Sequence, residues 1–376
     1  MTGQAGEAAF ATRLVAWQRL HGRHDLPWQN TVDAYRIWIS EIMLQQTQVA
    51  AVIPYYERFV AAFPELQSLA AAPLEQVLAL WSGLGYYSRA RNLHRCAQVI
   101  AGEFGGAFPR DAATLAGLPG IGRSTAAAIA ALAFGVHVPI LDGNVKRVLA
   151  RHAGVEGFPG LRAVEVELWR EAAARMPLSR STAHPMPDAA DVDSSAGAHH
   201  RSSSEIAAYT QAMMDLGATL CTRDRPQCAR CPVAADCVAL HTGRQAALPA
   251  PRPRKQVPQR TVTVLLLRRH ETVLVERRPA AGIWGGLWSL PELPDGMDAA
   301  RYCATRFSAQ IVESEPLPAI RHGFTHFHLT ITPQPCAVRD WPRRTEEPGL
   351  LWLPLTETQG AALPAPIKKL LAGLQS

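Results

Sequence analysis

The chain has 376 residues, of which 48% are hydrophobic and 19% charged, and a formal net charge of +6. That length predicts two or three domains, and the apolar content excludes wholesale disorder. The positive balance suits a polyanionic partner such as nucleic acid. No basic segment followed by an apolar stretch opens the chain, and nowhere do about 18 apolar residues run together, so neither a secretory signal nor a membrane-spanning helix is expected. Four of the seven cysteines fall between 221 and 237, unlike the distributed even set of a small secreted scaffold. These features favour the cytoplasm.

In chain order, residues 7–140 read as helices. AAFATRLVAWQRL and YRIWISEIML carry apolar residues at helical spacing, and Pro54, Pro64, Pro73 and Pro109 each fall near a predicted helix start. Glu41 lies within the apolar run IWISEIML, where a carboxylate is costly unless paired or functional. Gly83 and Gly85 flag a tight turn before the amphipathic stretch SRARNLHRCAQVIA. In LPGIG, Gly120 and Gly122 let the backbone approach a ligand closely, and Ser124 and Thr125 open the next helix. A glycine turn before a helix N-terminus binds phosphate through backbone N–H groups, and the missing Gly-Lys-Ser/Thr ending excludes a nucleotide-binding P-loop. Asp142, before Gly143-Asn144, is predicted to cap the helix NVKRVLAR and to stay ionised there.

Residues 178–204 hold few large apolar side chains and are expected to form a flexible surface insertion. CTRDRPQCARCPVAADC then spaces Cys221, Cys228, Cys231 and Cys237 as Cys-x6-Cys-x2-Cys-x5-Cys. Thiolates so spaced suit an iron–sulfur cluster; a four-thiolate zinc site is the alternative, although zinc ribbons usually show two Cys-x2-Cys pairs. Arg223, Arg225 and Arg230 in this loop suit phosphate contact. Residues 243–260, with four prolines, read as a semi-rigid linker. Beyond it TVTVLLLRR, ETVLVERR and FTHFHLTITP read as strands and PIKKLLAGLQ as a closing helix.

LPGIGRSTAAAI, followed by Asp142 in ILDGNVKRVLAR and then by the four cysteines, resembles the endonuclease III superfamily of helix-hairpin-helix DNA glycosylases. SEIMLQQTQVAAVIPYYERF and WSGLGYYSRARNLH are similar to the MutY-type adenine DNA glycosylases, and the resemblance runs from Leu26 to the last helix. It implies a multi-domain chain: an all-α glycosylase domain over residues 1–242, then an α+β Nudix (MutT)-like domain over 261–376. The first comprises a six-helix module at about 30–140 and a cluster module made of the N-terminal helix with 141–242. One 4Fe-4S cluster would be held by Cys221, Cys228, Cys231 and Cys237. The implied activity, by a monomer in the nucleoid, is removal of flipped adenine mispaired with 8-oxoguanine or guanine in duplex DNA, leaving an abasic site. A working Nudix hydrolase needs a Gly-x5-Glu-x7-Arg-Glu-x2-Glu-Glu-x-Gly helix; here PDGMDAARYCATRF follows SLPEL, so lesion recognition is expected in place of hydrolysis.

The resemblance also implies roles. Glu41 protonates the adenine, with its pKa raised by burial, and Asp142, beside Asn144, stabilises the cationic sugar. Ser124 stands where strand-cutting relatives carry a nucleophilic lysine, which implies a monofunctional enzyme. Trp28, Gln29, Leu44, Gln211 and Asp215 surround the flipped base, plain core packing being the alternative for Trp28. Gln46 and Tyr86 wedge into the stack, with Thr47 and Leu84 near the opposing base. Phe324, Thr325 and His326 form a lesion-reading loop in which threonine adds a methyl to the family's serine, while Gly120, Gly122 and Arg147 meet the DNA backbone.

Overall fold

The computed structural model describes residues 2–178, 196–253, 257–279, 282–324, 326–342 and 347–374. The chain divides into two units, Met1–Ala71 with Asn92–Pro253, and Ala72–Arg91 with Arg254–Ser376. The helices up to residue 253 are α1 (Thr2–His21), α2 (Ala34–Leu44), α3 (Val49–Ala62), α4 (Leu66–Ala71), α5 (Leu74–Trp81), α6 (Tyr87–Glu103), α7 (Ala112–Ala116), α8 (Arg123–Phe134), α9 (Gly143–Ala153), α10 (Arg162–Ala174), α11 (Ala196–Asp215) and α12 (Val238–His241). The boundary between the units falls inside α6.

Local chemistry sets the helix ends of the first unit. Asp33, Asp111 and Asp142 cap α2, α7 and α9 by accepting from the amides of Tyr35, Thr114 and Val145. Gly135 and Gly154 end α8 and α9 in the left-handed conformation. Pro73 caps α5, whereas Pro54 lies inside α3 and not near its start, so that helix forgoes one hydrogen bond within its body. One core joins Phe10 and Leu14 of α1 to Ala128 of α8, Val145 and Leu149 of α9, Leu168 of α10 and Tyr209 and Met213 of α11, with Cys221 and Cys231 packed against its margin. Arg13 of α1 also grips both oxygens of Asp236 at 2.7 Å, next to Cys237.

Two expectations change here. Residues 196–204, placed in the irregular insertion, are the opening turns of α11, because adding a residue to an established helix gains a hydrogen bond per residue fixed; residues 179–195 lie outside the described residues. The predicted linker is also held at its start. Leu248 is buried, its carbonyl accepts from Arg151 Nε at 2.9 Å, and the Ala250 amide donates to Gly157 O.

The second unit is built on a mixed sheet of β1 (Gln259–Arg269), β2 (Thr272–Arg277), β3 (Trp288–Ser289), β4 (Glu292–Leu293), β5 (Gln310–Glu313), β6 (Ile320–Gly323), β7 (His328–Asp340) and β8 (Leu350–Pro354). β1 pairs antiparallel with β2 and β4 and parallel with β7; β8 and β3 pair with β2, and β5 and β6 with β7. Pro333 and Pro335 are tolerated in β7 because their missing N–H groups point toward the gap between β6 and β5. Their carbonyls accept there from Leu317 and Ser314, and the ladder to β1 is untouched. Helix α13 (Ala299–Phe307) packs Cys303 and Phe307 on Leu265, Leu267 and Cys336, and α14 (Ala365–Ala372) closes the chain. Among the described residues no helix is long and apolar enough to cross a membrane.

Residues 72–91 are continuous in sequence with the helical domain and pack with the second unit. Ser82 Oγ donates to Leu363 O at 2.8 Å, and Trp288 Nε1 donates to the Glu75 carboxylate. In the first unit, Gly154 has φ +71°, and an added Cβ would sit 2.6 Å from Val238 Cγ1. Gly154→Ala should therefore cost about 1–3 kcal/mol and lower the melting temperature by several degrees in paired thermal scans. An unchanged transition would show that the α9–α12 junction is loose.

Candidate active site

A cleft of about 740 Å³ opens in the first unit, a size suited to a base-sized ligand. Its wall includes Trp28 and Gln29 from the loop after α1, Glu41 and Leu44 from α2, Gln211 from α11, and Arg19, Arg23 and Arg110. Among the described residues, Glu41 is its one lining carboxylate. The apolar stripe of α2 that buries Ile37, Trp38 and Ile42 turns Glu41 to the cleft. Solvent still reaches this side chain, yet protein surrounds it closely enough that burial pushes its carboxyl up to about 7, and the nearby Asp142 carboxylate adds to the rise.

Trp28 is both packed and site-lining: it is buried edge-on to Tyr56, with centroids 5.3 Å apart, and forms part of the wall. Gln29 accepts from the Leu26 amide, and its buried Nε2 has no protein partner, a donor available to a ligand in the cleft. Asp215 does not line the cleft. It is fully buried behind it, bound by Arg23 through Nε at 2.7 Å and the backbone amide at 3.0 Å, and by Gln211 Nε2 at 3.0 Å. Its carboxylate holds two cleft residues, Arg23 and Gln211, in place.

The hairpin lies between α7 and α8. Gly120 has φ +79°, and a Cβ there would come within 2.7 Å of Asn92 Cβ, so only glycine fits. Gly122 caps α8 with open space around it, leaving the first amides of that helix accessible. Ser124 Oγ accepts from the Leu141 amide at 3.0 Å, tying α8 to the residue before Asp142. Asp142 caps α9 through Val145 N at 2.7 Å. Capping favours its ionised form, and burial acts against that. Burial raises its carboxyl, against the amides of Val145 and Asn144 and the charges of Arg147 and Lys146.

Arg147, expected at the DNA backbone, is committed within the protein. Its guanidinium donates to Cys221 O at 2.8 Å, Asn144 Oδ1 at 2.8 Å and Gly217 O at 2.6 Å. Gly217 lies in a π-helical turn, Leu216–Leu220, and a Cβ on it would approach Asn144 Cβ to 2.6 Å. Asn144 is thus packed between the cysteine loop and its own helix. One turn further along α9, buried Arg151 donates to Thr222 O and Arg223 O and lies 3.5 Å from Cys221 Sγ.

Cys221, Cys228, Cys231 and Cys237 are free thiols lining one small cavity with Leu220, Ala234 and Leu240. Among the described residues no group of three or more His, Cys, Asp or Glu is placed to hold a single metal ion. Arg223, Arg225 and Arg230 are exposed around this loop.

Gln46 and Tyr86, the two expected wedge residues, are exposed and both adopt positive φ, +58° and +48°. Such backbone is unusual for residues other than glycine and recurs at functional sites. Thr47 donates its amide to Leu44 O, beside Gln46. In the second unit Leu84 is buried, and Arg89 steadies its turn by reaching Leu84 O and Gly85 O while lying over Trp81 and Tyr86. Phe324 and exposed His326 bracket Thr325, which lies outside the described residues.

Comparison with known proteins matches residues 39–173 to the HhH-GPD superfamily of base excision DNA repair proteins and residues 262–373 to the NUDIX domain. An adenine DNA glycosylase of Buchnera aphidicola is 32% identical over 365 residues, 96% of each chain, and one of Mus musculus is 34% identical over 97% of this chain and 78% of its own. The chain belongs to the adenine DNA glycosylases. A solved thermostable thymine-DNA glycosylase, 24% identical, covers 63% of this chain and 97% of its own with a TM-score of 0.50, and shares the helical fold.

Sequence reasoning missed Arg23, Arg110 and Arg151. Nothing in the primary structure separates them from the many other arginines; Arg23 is set apart by the carboxylate it meets, Arg151 by carbonyls, and Arg110 by its place on the cleft wall.

The Glu41 shift has a stability signature. Its folded value, about 7, exceeds the ordinary 4.5, so the folded state is penalised only as the carboxylate ionises. Relative to Glu41→Gln, wild-type stability should be undiminished below about pH 4.5, decline as pH rises through 7, and then level off, by up to about 3 kcal/mol. Melting scans near about pH 5 and about pH 8.5 should show the Gln variant gaining only at the higher pH. Equal differences at both values would contradict the shift.

Proposed function

We propose that the protein removes adenine lying opposite 8-oxoguanine or guanine in duplex DNA, by flipping it into the first unit's cleft and hydrolysing its glycosidic bond. The observation carrying this reading is the pair Glu41 and Asp142, two carboxyls that burial raises, one on the cleft wall and sensing the charge of the other, which lies at a helix N-terminus. An acid near neutrality can give a proton to the departing base at N7. Asp142, in its charged form, stabilises the oxocarbenium-like state as the sugar becomes cationic. Gln29 Nε2 supplies a hydrogen-bond donor to the base, and Trp28 an apolar wall. Gln46 and Tyr86 fill the space left in the stack, while Phe324, Thr325 and His326 read the opposing lesion. Flipping costs a few kcal/mol, less at a mispair.

Ser124 supports a monofunctional reaction. Its hydroxyl is engaged with the Leu141 amide, and it carries no amine to form a Schiff base. The four cysteines suit a 4Fe-4S cluster. They ring one largely apolar cavity, and the single Cys-x2-Cys pair, where zinc ribbons usually show two, favours a multi-iron group over zinc. When bound, the cluster cross-links the loop that displays Arg223, Arg225 and Arg230. The second unit matches the NUDIX domain, yet α13 carries no carboxylate, which supports recognition over hydrolysis.

Duplexes with adenine opposite 8-oxoguanine, guanine, cytosine or thymine, scored with and without alkali, test the whole reading. Alkali-dependent cleavage of the first two alone is expected; stoichiometric borohydride trapping would rule out the monofunctional route. Glu41→Gln and Asp142→Asn should each slow adenine release by about 10²–10⁴-fold while retaining mispair binding. Near-normal turnover in either would remove that residue from the chemistry. The purified protein should be coloured and contain iron; a colourless protein after anaerobic purification refutes the cluster alone.

A further inference from the structure

In the second unit, one loop touches both the lesion-reading strand end and the 72–91 segment that carries Leu84 and Tyr86. Trp284 is 7% exposed and has φ +55°, a conformation that a bulky L residue holds only when its surroundings enforce it. Its ring packs against His322 at 5.9 Å and Phe324 at 5.8 Å between centroids. His322 and Phe324 meet edge-on at 4.7 Å, and Phe324 stacks on Phe327 at 4.5 Å, with the Arg260 guanidinium over the Phe327 ring.

The other side of the loop faces residues 72–91. Gly285 O accepts from Arg91 Nη1 at 2.6 Å, and a Cβ built on Gly286 would lie 3.7 Å from Leu78 Cδ1. Arg91 stands in the opening turns of α6, two residues after Arg89, which holds the carbonyls of Leu84 and Gly85. The loop is not free to adjust by itself. The Gly286 amide donates to Arg278 O and Pro279 O, and the Leu287 amide to Trp284 O. A contiguous path therefore runs from Phe324 through Trp284 and Gly285 to Arg91, and along α6 to the Leu84–Tyr86 turn.

We infer that Trp284 and Arg91 are positioning residues that transmit reading of the base opposite adenine, at the Phe324–His326 loop, to the wedge turn, and so determine lesion specificity. The inference rests on the lesion-reading role proposed above. Neither residue touches the cleft or the two carboxyls, so the chemistry itself should be spared.

The test uses the full-length protein and single-turnover adenine release from duplexes with 8-oxoguanine or guanine opposite adenine. Arg91→Met keeps the apolar stem and loses the bond to Gly285; Trp284→Leu loses the aromatic contacts. Each should lower the preference for the 8-oxoguanine duplex by about tenfold, through slower release from that duplex alone. The rate opposite guanine should stay within about twofold, and Trp284→Phe should restore most of the preference. Combining the two variants should add little, since both interrupt one path. If Trp284→Leu melts early, Arg91→Met decides. A preference left intact in a well-folded Arg91→Met, equal slowing on both duplexes, or losses that multiply in the double variant would overturn the inference. A wild-type protein with equal rates on the two duplexes would overturn the lesion-reading proposal, and this inference with it.

Discussion

Backbone carbonyls that no regular helix satisfies decide how the catalytic and cysteine ends of the first unit are joined. Where α11 passes into its π-helical turn and then into the cysteine loop, the carbonyls of Gly217, Cys221, Thr222 and Arg223 all find guanidinium donors on α9. Arg147 and Arg151 are four residues apart, hence on one face, and each satisfies more than one acceptor. Removing either would strand buried acceptors at about 1–3 kcal/mol each. Asp142 caps the same helix, so a rod about 16 Å long connects a candidate catalytic carboxyl to the cysteine loop. Gly217 is small because Asn144 needs the space, and Gly154 ends the helix where Val238 packs.

Three carboxyls within this unit are treated differently, and the difference assigns their work. Asp215 is fully buried but bound by Arg23 and Gln211, which makes it a brace. Asp142 is capped by amides, yet burial outweighs them. Glu41 chiefly experiences desolvation and the negative charge of Asp142, and is therefore the group held near neutrality. A carboxyl held near neutrality beside a second, capped carboxyl is the arrangement that the proposed chemistry requires. The arginines of the cleft wall favour a polyanion without neutralising Glu41.

Much of this organisation was legible in the amino-acid sequence because it depends on local rules. Helical spacing marked α1 and α2, β-branched runs marked β1, β2 and β7, Asp142 announced its cap, and LPGIG its hairpin. Cysteine spacing marked four thiols that line one cavity, and PDGMDAARYCATRF visibly lacks the glutamate set of a working Nudix helix. Short strands such as β3 and β4 were not legible, since two residues carry no periodicity. Nor was the opening of α11 at Ala196, where a polar stretch is carried by the helix that follows it.

Tertiary structure alone decided the rest, because burial and partnership are properties of surroundings and not of residue type. It bonded Arg147 to the carbonyls of Gly217 and Cys221, buried Asp215 against Arg23, and raised Asp142 despite its cap. It also drew residues 72–91 into the second unit, through bonds such as Ser82 Oγ to Leu363 O that span 281 positions of sequence. No window of sequence contains both partners of such a bond. Candidates for the chemistry could be named from the resemblance that the sequence carries; what surrounds them, and how burial shifts their carboxyls, required the fold.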